Sequence, residues 1–283
     1  MSPDTRSAAL PRPRAGEVHL WFALADGAPS EPKLAAQYAS WLSADERERW
    51  ARFRFERDRD RYLLARGLVR ATLSRYVPGR AEAAWRFRNN AHGRPFIAHG
   101  QQPPGDALYF SLSHTQGLVA LAIARCEEIG VDVEPLDRDG PHLEMAERFF
   151  APAEATALRA LAGPAAHRKR FVELWTLKES YIKARGMGMA LPLDGFAFDL
   201  NRPEEMGFRT WASARDRAEG WRFGLFEYAA SHRVALALRE HRAADTALRI
   251  RAGVFPGAGA APGRLPLALT RRSTAVLHIE ALI

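Results

Sequence analysis

Between Ile129 and Glu134, apolar residues alternate strictly with residues of another kind: Ile129, Val131 and Val133 against Gly130, Asp132 and Glu134. Side chains along a strand point to opposite faces in turn, so this spacing predicts a β-strand with both carboxylates on one face. Farther on, Phe171, Leu174, Trp175, Tyr181 and Ile182 recur at helical spacing and predict an α-helix with one apolar stripe. Lys178 falls inside that stripe, while Glu179 and Lys183 flank it, one helical turn apart and therefore neighbours. Gly186 follows Lys183 and Arg185 as a natural stop. The two segments together set three carboxylates and two lysines where a core prefers apolar groups. A divalent metal and a pyrophosphate need that combination.

Each segment alone has a plainer reading. Glu179 and Lys183 match a solvent-exposed helix pair worth only ~0.2–0.5 kcal/mol, and Asp132 with Glu134 matches a solvated strand face. Lys178 resists such a reading, because buried lysines are rare unless paired.

The chain has 283 residues, enough for one large domain or two ordinary ones. Its 47% hydrophobic and 26% charged content is that of a soluble globular protein. A single cysteine, Cys126, excludes an internal disulfide framework and fits a reducing compartment. No apolar run reaches the ~18 residues a membrane span requires. Residues 1–16 are rich in Pro, Ala and Arg without an apolar signal core, and read as a disordered lead-in to a cytoplasmic protein. The formal net charge of +8 favours anionic partners: nucleic acid, a phosphorylated cofactor or an acidic protein.

Val18 to Leu24 reads as an opening strand. Ser43 with Glu46 forms a capping-box pattern, and Asp45 to Tyr76 reads as two helices broken near Phe55 to Arg59. Asn89 to Pro95 is dense in turn residues, which puts Arg94 in a loop. Leu108 to Ser113 alternates as a strand, and the apolar run Leu118 to Ala124 fits a strand buried on both faces. Helices follow at Glu144 to Phe150 and Pro152 to Leu161, then a strand at Gly195 to Leu200. Trp221 to Tyr228 with Arg233 to Leu238 suggests a hairpin. Helices followed by antiparallel strands occur twice, a hint of duplication. The expected division is a lead-in at 1–16, an N-terminal half at 17–128, a C-terminal half with the metal site at 129–252, and a linker-like tail at 253–283 with Pro256 to Gly263 as its core and Thr274 to Ile283 as either an added edge strand or a mobile end.

Five separated motifs occur in a familiar order: Gly93-Arg94-Pro95, Phe110-Ser111-Leu112-Ser113-His114, Gly130-Val131-Asp132-Val133-Glu134, Arg148-Phe149-Phe150, and Trp175-x-x-Lys178-Glu179-x-x-x-Lys183. With these the chain resembles the Sfp-type 4'-phosphopantetheinyl transferases from about Val18 to Arg251. The resemblance implies an α+β fold: two similar two-layer α/β halves related by a pseudo-twofold axis, antiparallel-rich sheets packed by helices, and the cofactor in the cleft between them. It implies Mg2+, with Mn2+ as a substitute, held by Asp132, Glu134 and Glu179. The substrate implied is coenzyme A, whose phosphopantetheine arm passes to a serine of an acyl, peptidyl or aryl carrier protein with release of 3',5'-ADP. By the same resemblance Glu179 acts as general base, directly or through a water, and Lys183 contacts the pyrophosphate. Lys178 is expected on the other phosphate, Ser113 and His114 on coenzyme A phosphates, and Arg61 on the 3'-phosphate, with Arg49 a fainter candidate. Arg94 stands where the family often has lysine, which exchanges a point charge for a planar fork. A monomer is implied, since one chain supplies both cleft walls.

Two rival readings use the same residues. A metal-dependent nuclease would also need acidic residues and a nearby lysine, although the restriction-type arrangement spaces glutamate and lysine two apart on a strand. A nucleic-acid-binding module would use the arginines from Arg47 to Arg61 with Trp50, Phe53 and Phe55, whose helical spacing instead suits core contacts.

Overall fold

The computed structural model describes residues 9–25, 32–103, 105–239, 248–254, 267–272 and 277–281. The chain opens with strand β1 (Glu17–Leu24) and helices α1 (Pro32–Trp41), α2 (Ala44–Ala51) and α3 (Glu56–Tyr76). A short hairpin, β2 (Phe87–Asn89) and β3 (Pro95–Ile97), precedes a longer one, β4 (Tyr109–Thr115) and β5 (Leu118–Ala124). The order then repeats. Strand β6 (Ile129–Pro135) leads to helices α4 (His142–Phe149), α5 (Pro152–Arg159) and α6 (Pro164–Arg185), a short hairpin β7 (Phe196–Asp199) and β8 (Gly207–Thr210), and a longer hairpin β9 (Trp221–Tyr228) and β10 (His232–Arg239). Three strands close the chain: β11 (Leu248–Val254), β12 (Leu267–Arg272) and β13 (Leu277–Ala281).

The pairing repeats as well. In one sheet β1 pairs antiparallel with β5, and β5 with β4; in the other β6 pairs antiparallel with β10, and β10 with β9. The fold is thus α+β with antiparallel-rich sheets, as expected.

The alternation of side chains divides the interior into three cores. Val119, Leu121 and Ile123 of β5 face α3, whereas Leu118, Ala120, Ala122 and Ala124 face a core shared between the sheets. Strand β10 does the same, with Ala235 and Ala237 towards α6 and Val234, Leu236 and Leu238 towards the shared core. Burial on both faces explains the unbroken apolar run of β5. In β6 the residues Ile129, Val131 and Val133 enter the shared core. Gly130, Asp132 and Glu134 are therefore left on the side of α6.

Two expectations need correction. The lead-in is anchored from position 9: Leu10 packs on the core under α3 and its N–H donates to the Arg75 carbonyl, while Arg12 donates to the Tyr76 carbonyl. Residues 1–8 lie outside the described residues. Nor is the end of the chain a linker following a closed C-terminal half. Strand β11 crosses the expected boundary and pairs in parallel with β1, and β12 pairs with β9, while β13 adds to β11 as the edge strand that Thr274 to Ile283 offered. The last strands thus extend both sheets, by hydrogen bonds to partners far away in sequence. Pro256 to Gly263 lies outside the described residues.

Helix α6 crosses β6 closely at Gly130. A Cβ added there would lie 1.9 Å from the Ser180 carbonyl oxygen and 2.5 Å from the Ala184 nitrogen, both backbone atoms that cannot turn aside. We expect Gly130→Ala to cost ~3 kcal/mol or more, at the upper end of overpacking effects, as read by denaturant unfolding. A loss within experimental error would mean that α6 shifts freely on β6.

Candidate active site

The two sheets meet where edge strands β4 and β6 run side by side. No backbone ladder joins them; serine side chains do. The Val131 N–H donates to Ser111 Oγ at 3.0 Å, and the Val133 N–H to Ser113 Oγ at 3.3 Å. Ser113 Oγ in turn donates to Asp132 Oδ1 at 2.8 Å and accepts from Lys183 Nζ at 2.7 Å. Lys183 Nζ also lies 2.6 Å from Asp132 Oδ1. The other oxygen, Asp132 Oδ2, is buried without a hydrogen-bond partner. A carboxylate oxygen deprived of both water and donors is costly, which marks it as a site for a cation.

Glu134 projects from the same face of β6 and accepts from Trp175 Nε1 at 3.0 Å and from Arg138 Nη1 at 2.6 Å. Burial raises its pKa, and the Asp132 charge raises it further. Glu179 of α6 behaves alike: burial pushes its carboxyl up, the Asp132 charge adds to this, and Lys183 partly opposes it. The three expected metal ligands thus share one cleft and repel one another. They are not drawn together around a point; among the described residues no group of three or more His, Cys, Asp and Glu is poised to hold a metal ion.

His114, at the end of β4, is exposed, yet its pKa is pushed down to about 4 by lost hydration and by the charges of Arg61, Lys183 and Arg66. The cationic neighbours oppose protonation of the ring. They also make this corner attractive to an anion. Arg61 lies 2.8 Å from Asp58, and Arg49 and Arg66 lean over the Tyr62 ring at 5.9 and 5.2 Å. Between the halves a cavity of about 280 Å3 is lined by Phe110, Leu112, Ile182, Glu179 and Lys183.

Two expected phosphate contacts fall elsewhere. Lys178 is fully buried, and its ammonium reaches Glu154 Oε2 at 2.7 Å and the Leu193 and Phe196 carbonyls at 2.7 and 2.8 Å. All three of its donors are used within the C-terminal half, leaving none for a phosphate. Arg94 sits in the β2–β3 turn as expected, but its fork donates to the carbonyls of Ala184, Glu127 and Ile129 at 2.8, 2.7 and 3.1 Å. It satisfies a carbonyl in the last turn of α6, where a cation is favoured. The turn also contributes Asn90, which donates to the Gly186 carbonyl at 2.7 Å, and Gly186 itself is left-handed at φ 62°. Of the three aromatics in the arginine-rich segment, Trp50 packs on the core, Phe53 meets Tyr62, and Phe55 is 52% exposed.

Sequence reading missed three participants. Arg66 was hidden by the abundance of arginine on α3. Arg138 had a visible signal, a basic residue four positions beyond an acidic strand end. Asp216 had none: its carboxylate accepts from Tyr181 OH at 2.6 Å, Trp221 Nε1 at 2.9 Å and Arg239 Nη1 at 2.9 Å, and pairs with Arg185 at 2.6 Å. It ties α6, two residues from both Glu179 and Lys183 at Tyr181, to strands β9 and β10.

A raised carboxyl favours folding only while protonated. For Glu179 that contribution is full below its ordinary value of 4.5 and is lost as the pH climbs through the higher folded value. In chelator-treated protein, Glu179→Gln should therefore melt a few degrees above wild type at alkaline pH, with the gap narrowing as the pH falls towards 4.5. A gap independent of pH would show that Glu179 carries no repulsive charge. Glu154→Ala, which strands the Lys178 ammonium, should cost ~3–5 kcal/mol in unfolding free energy.

Comparison with known proteins agrees with this geometry. A family described as the 4'-phosphopantetheinyl transferase superfamily matches residues 128–237, and one described as 4'-phosphopantetheinyl transferase, N-terminal, matches residues 27–126. The 4'-phosphopantetheinyl transferase HetI of Nostoc sp. is 36% identical over 178 residues, covering 62% of this chain and 70% of its own. The phosphopantetheinyl transferase of Thraustochytrium sp. is 30% identical over 243 residues, covering 81% and 80%. The 4'-phosphopantetheinyl transferase Sfp of Bacillus subtilis is 34% identical over 167 residues, covering 59% and 70%. The chain belongs to the 4'-phosphopantetheinyl transferase superfamily.

Proposed function

We propose that this protein transfers the 4'-phosphopantetheine arm of coenzyme A to a serine of an acyl or peptidyl carrier protein and releases 3',5'-ADP. The observation that carries this reading is Asp132, with Oδ1 held by Lys183 and Ser113 and Oδ2 buried without a partner. The donor set is all oxygen and mutually repelling, which fits Mg2+, with Mn2+ as a substitute. Asp132, Glu134 and Glu179 would hold the ion, and its chemistry would be to neutralise charge on the diphosphate bridge.

The remaining steps fall to the chain's own groups. Lys183, already aimed at the cleft by Ser113 and Asp132, stabilises charge on the departing phosphate oxygen. Glu179, its carboxyl raised above the ordinary glutamate range, takes the proton of the attacking serine hydroxyl. His114 binds a phosphate oxygen; the single Ser113 proton, held by Asp132, reaches one only when that bond is exchanged. Lost hydration and the charges of Arg61, Lys183 and Arg66 hold the pKa of His114 down, and its ring offers an N–H donor in either protonation state. Arg61 and, more weakly, Arg49 supply charge for the 3'-phosphate from the N-terminal half. Phe110, Leu112 and Ile182 form an apolar wall beside the reacting groups. A single chain provides both walls, so the working unit is a monomer, and the single cysteine, Cys126, fits a reducing compartment such as the cytoplasm. Among the described residues no helix is long and apolar enough to cross a membrane.

The test is incubation with coenzyme A, Mg2+ and an apo carrier protein, followed by intact-mass spectrometry of the carrier. One phosphopantetheine addition at a single serine is expected. Lys183→Ala should slow it roughly a hundredfold or more, and Asp132→Ala should abolish it. An unmodified carrier throughout a panel from fatty-acid, polyketide and peptide assembly would overturn the assignment.

A further inference from the structure

Glu134 is matched by a cation that the chain itself provides. Arg138 lies in the turn after β6, and its Nη1 is 2.6 Å from Glu134 Oε1. Its guanidinium stacks over the Trp175 ring at 4.8 Å, and the same Trp175 donates its indole N–H to the same Glu134 oxygen at 3.0 Å. Trp175 is itself wedged against Phe171 at 5.7 Å and Phe150 at 6.3 Å. The Arg138 carbonyl meets His142 Nε2 at 2.8 Å, which fixes the backbone of the turn to the start of α4. The arginine is thus held in place from ring, carboxylate and backbone, although its side chain is 28% exposed.

This placement has a consequence for any ion that uses the same oxygens. Resting on our reading of Asp132, Glu134 and Glu179 as ligands of a divalent cation, we propose that Arg138 is a built-in competitor at Glu134 and sets the affinity of the cluster for that cation. A divalent ion that takes Glu134 Oε1 must displace the guanidinium, and one that takes the other oxygen still meets the positive charge beside it. The stack on Trp175 gives the displaced guanidinium a second favourable contact, worth ~0.5–1 kcal/mol at a partly exposed site. Arg138 thereby lowers resting affinity without blocking the site outright.

The rival role, a buttress that steadies Glu134 for the ion, predicts the opposite sign. Titration of the full chain with Mn2+ alone, read by the electron paramagnetic resonance signal of the free ion, separates the two. Arg138→Gln should bind Mn2+ tighter than wild type, on the order of tenfold for the loss of one nearby charge, with Arg138→Lys in between. The gain should vanish in Arg138→Gln combined with Asp132→Ala. Binding that depends on Asp132 but is unchanged or weakened by Arg138→Gln would overturn this inference alone. Absence of Asp132-dependent Mn2+ binding in every variant, with or without coenzyme A, would overturn it together with the metal reading.

Discussion

The tight crossing of α6 over β6 is the contact on which the rest of the site depends. It brings Glu179 and Lys183 down onto a strand face that already carries Asp132 and Glu134, and Gly130 is what allows the approach. The result is an arrangement that works against itself. Burial and the Asp132 charge raise both glutamates, and one Asp132 oxygen has no donor. Such strain at a cleft persists only where the surrounding structure over-determines it. Here the determination is visible: the shared core behind β6, the Arg94 and Asn90 cap on the end of α6, and the four side-chain donors gathered by Asp216 hold the helix from three sides.

Two lysines on that one helix show how environment assigns roles to identical groups. Lys178 and Lys183 are five positions apart, and each has a carboxylate within hydrogen-bonding distance. Lys178 is fully buried and closes its donor list with two backbone carbonyls; it is spent on joining α6 to α5 and to the segment leading into β7. Lys183 is 30% exposed and shares its partners with a serine at the cleft wall. A buried, fully bonded ammonium is a structural element whose removal leaves an unpaired charge. A partly exposed one, bonded to a carboxylate and a serine at the cleft wall, keeps room to exchange partners.

Much of this was legible in the sequence because the signals are local. Alternation in β6 placed Asp132 and Glu134 on one face, helical spacing placed Glu179 beside Lys183, and Gly186 ended α6 in the left-handed conformation expected of it. The apolar run of β5 read correctly as doubly buried, and the break between α2 and α3 fell close to its predicted place. What escaped was decided at a distance. Helix α1 has no acidic residue in its first turn and no basic one in its last to announce it. The pairing of β11 with β1, or of β12 with β9, leaves no trace in the strands' own composition. Lys178 and Arg94 show the same limit: the motif shows that a cation is present, but the partner it has in the structure, Glu154 or the carbonyl of Ala184, comes from another element. Residue type and spacing give the face; only packing gives the acceptor.

The position of the site follows from how the two halves are joined. Each half closes its own three-stranded pattern and leaves an edge, β4 in one and β6 in the other. Exposed strand edges invite pairing, and a continuous ladder between these two would have merged the sheets. Ser111 and Ser113 take the place of that ladder by accepting the N–H groups of Val131 and Val133 through side chains. A side-chain oxygen can do what a backbone carbonyl cannot: Ser113 accepts from β6 and from Lys183 while donating its own proton to Asp132. The seam therefore satisfies the edge and loads the site with one group. It is also kept from parting, since β11 follows the second half yet completes the sheet of the first, while β12 returns to the sheet of the second. With the shared core between the sheets, this exchange of strands fixes the spacing of β4 and β6. On that spacing depends whether Ser113 reaches Asp132 at all.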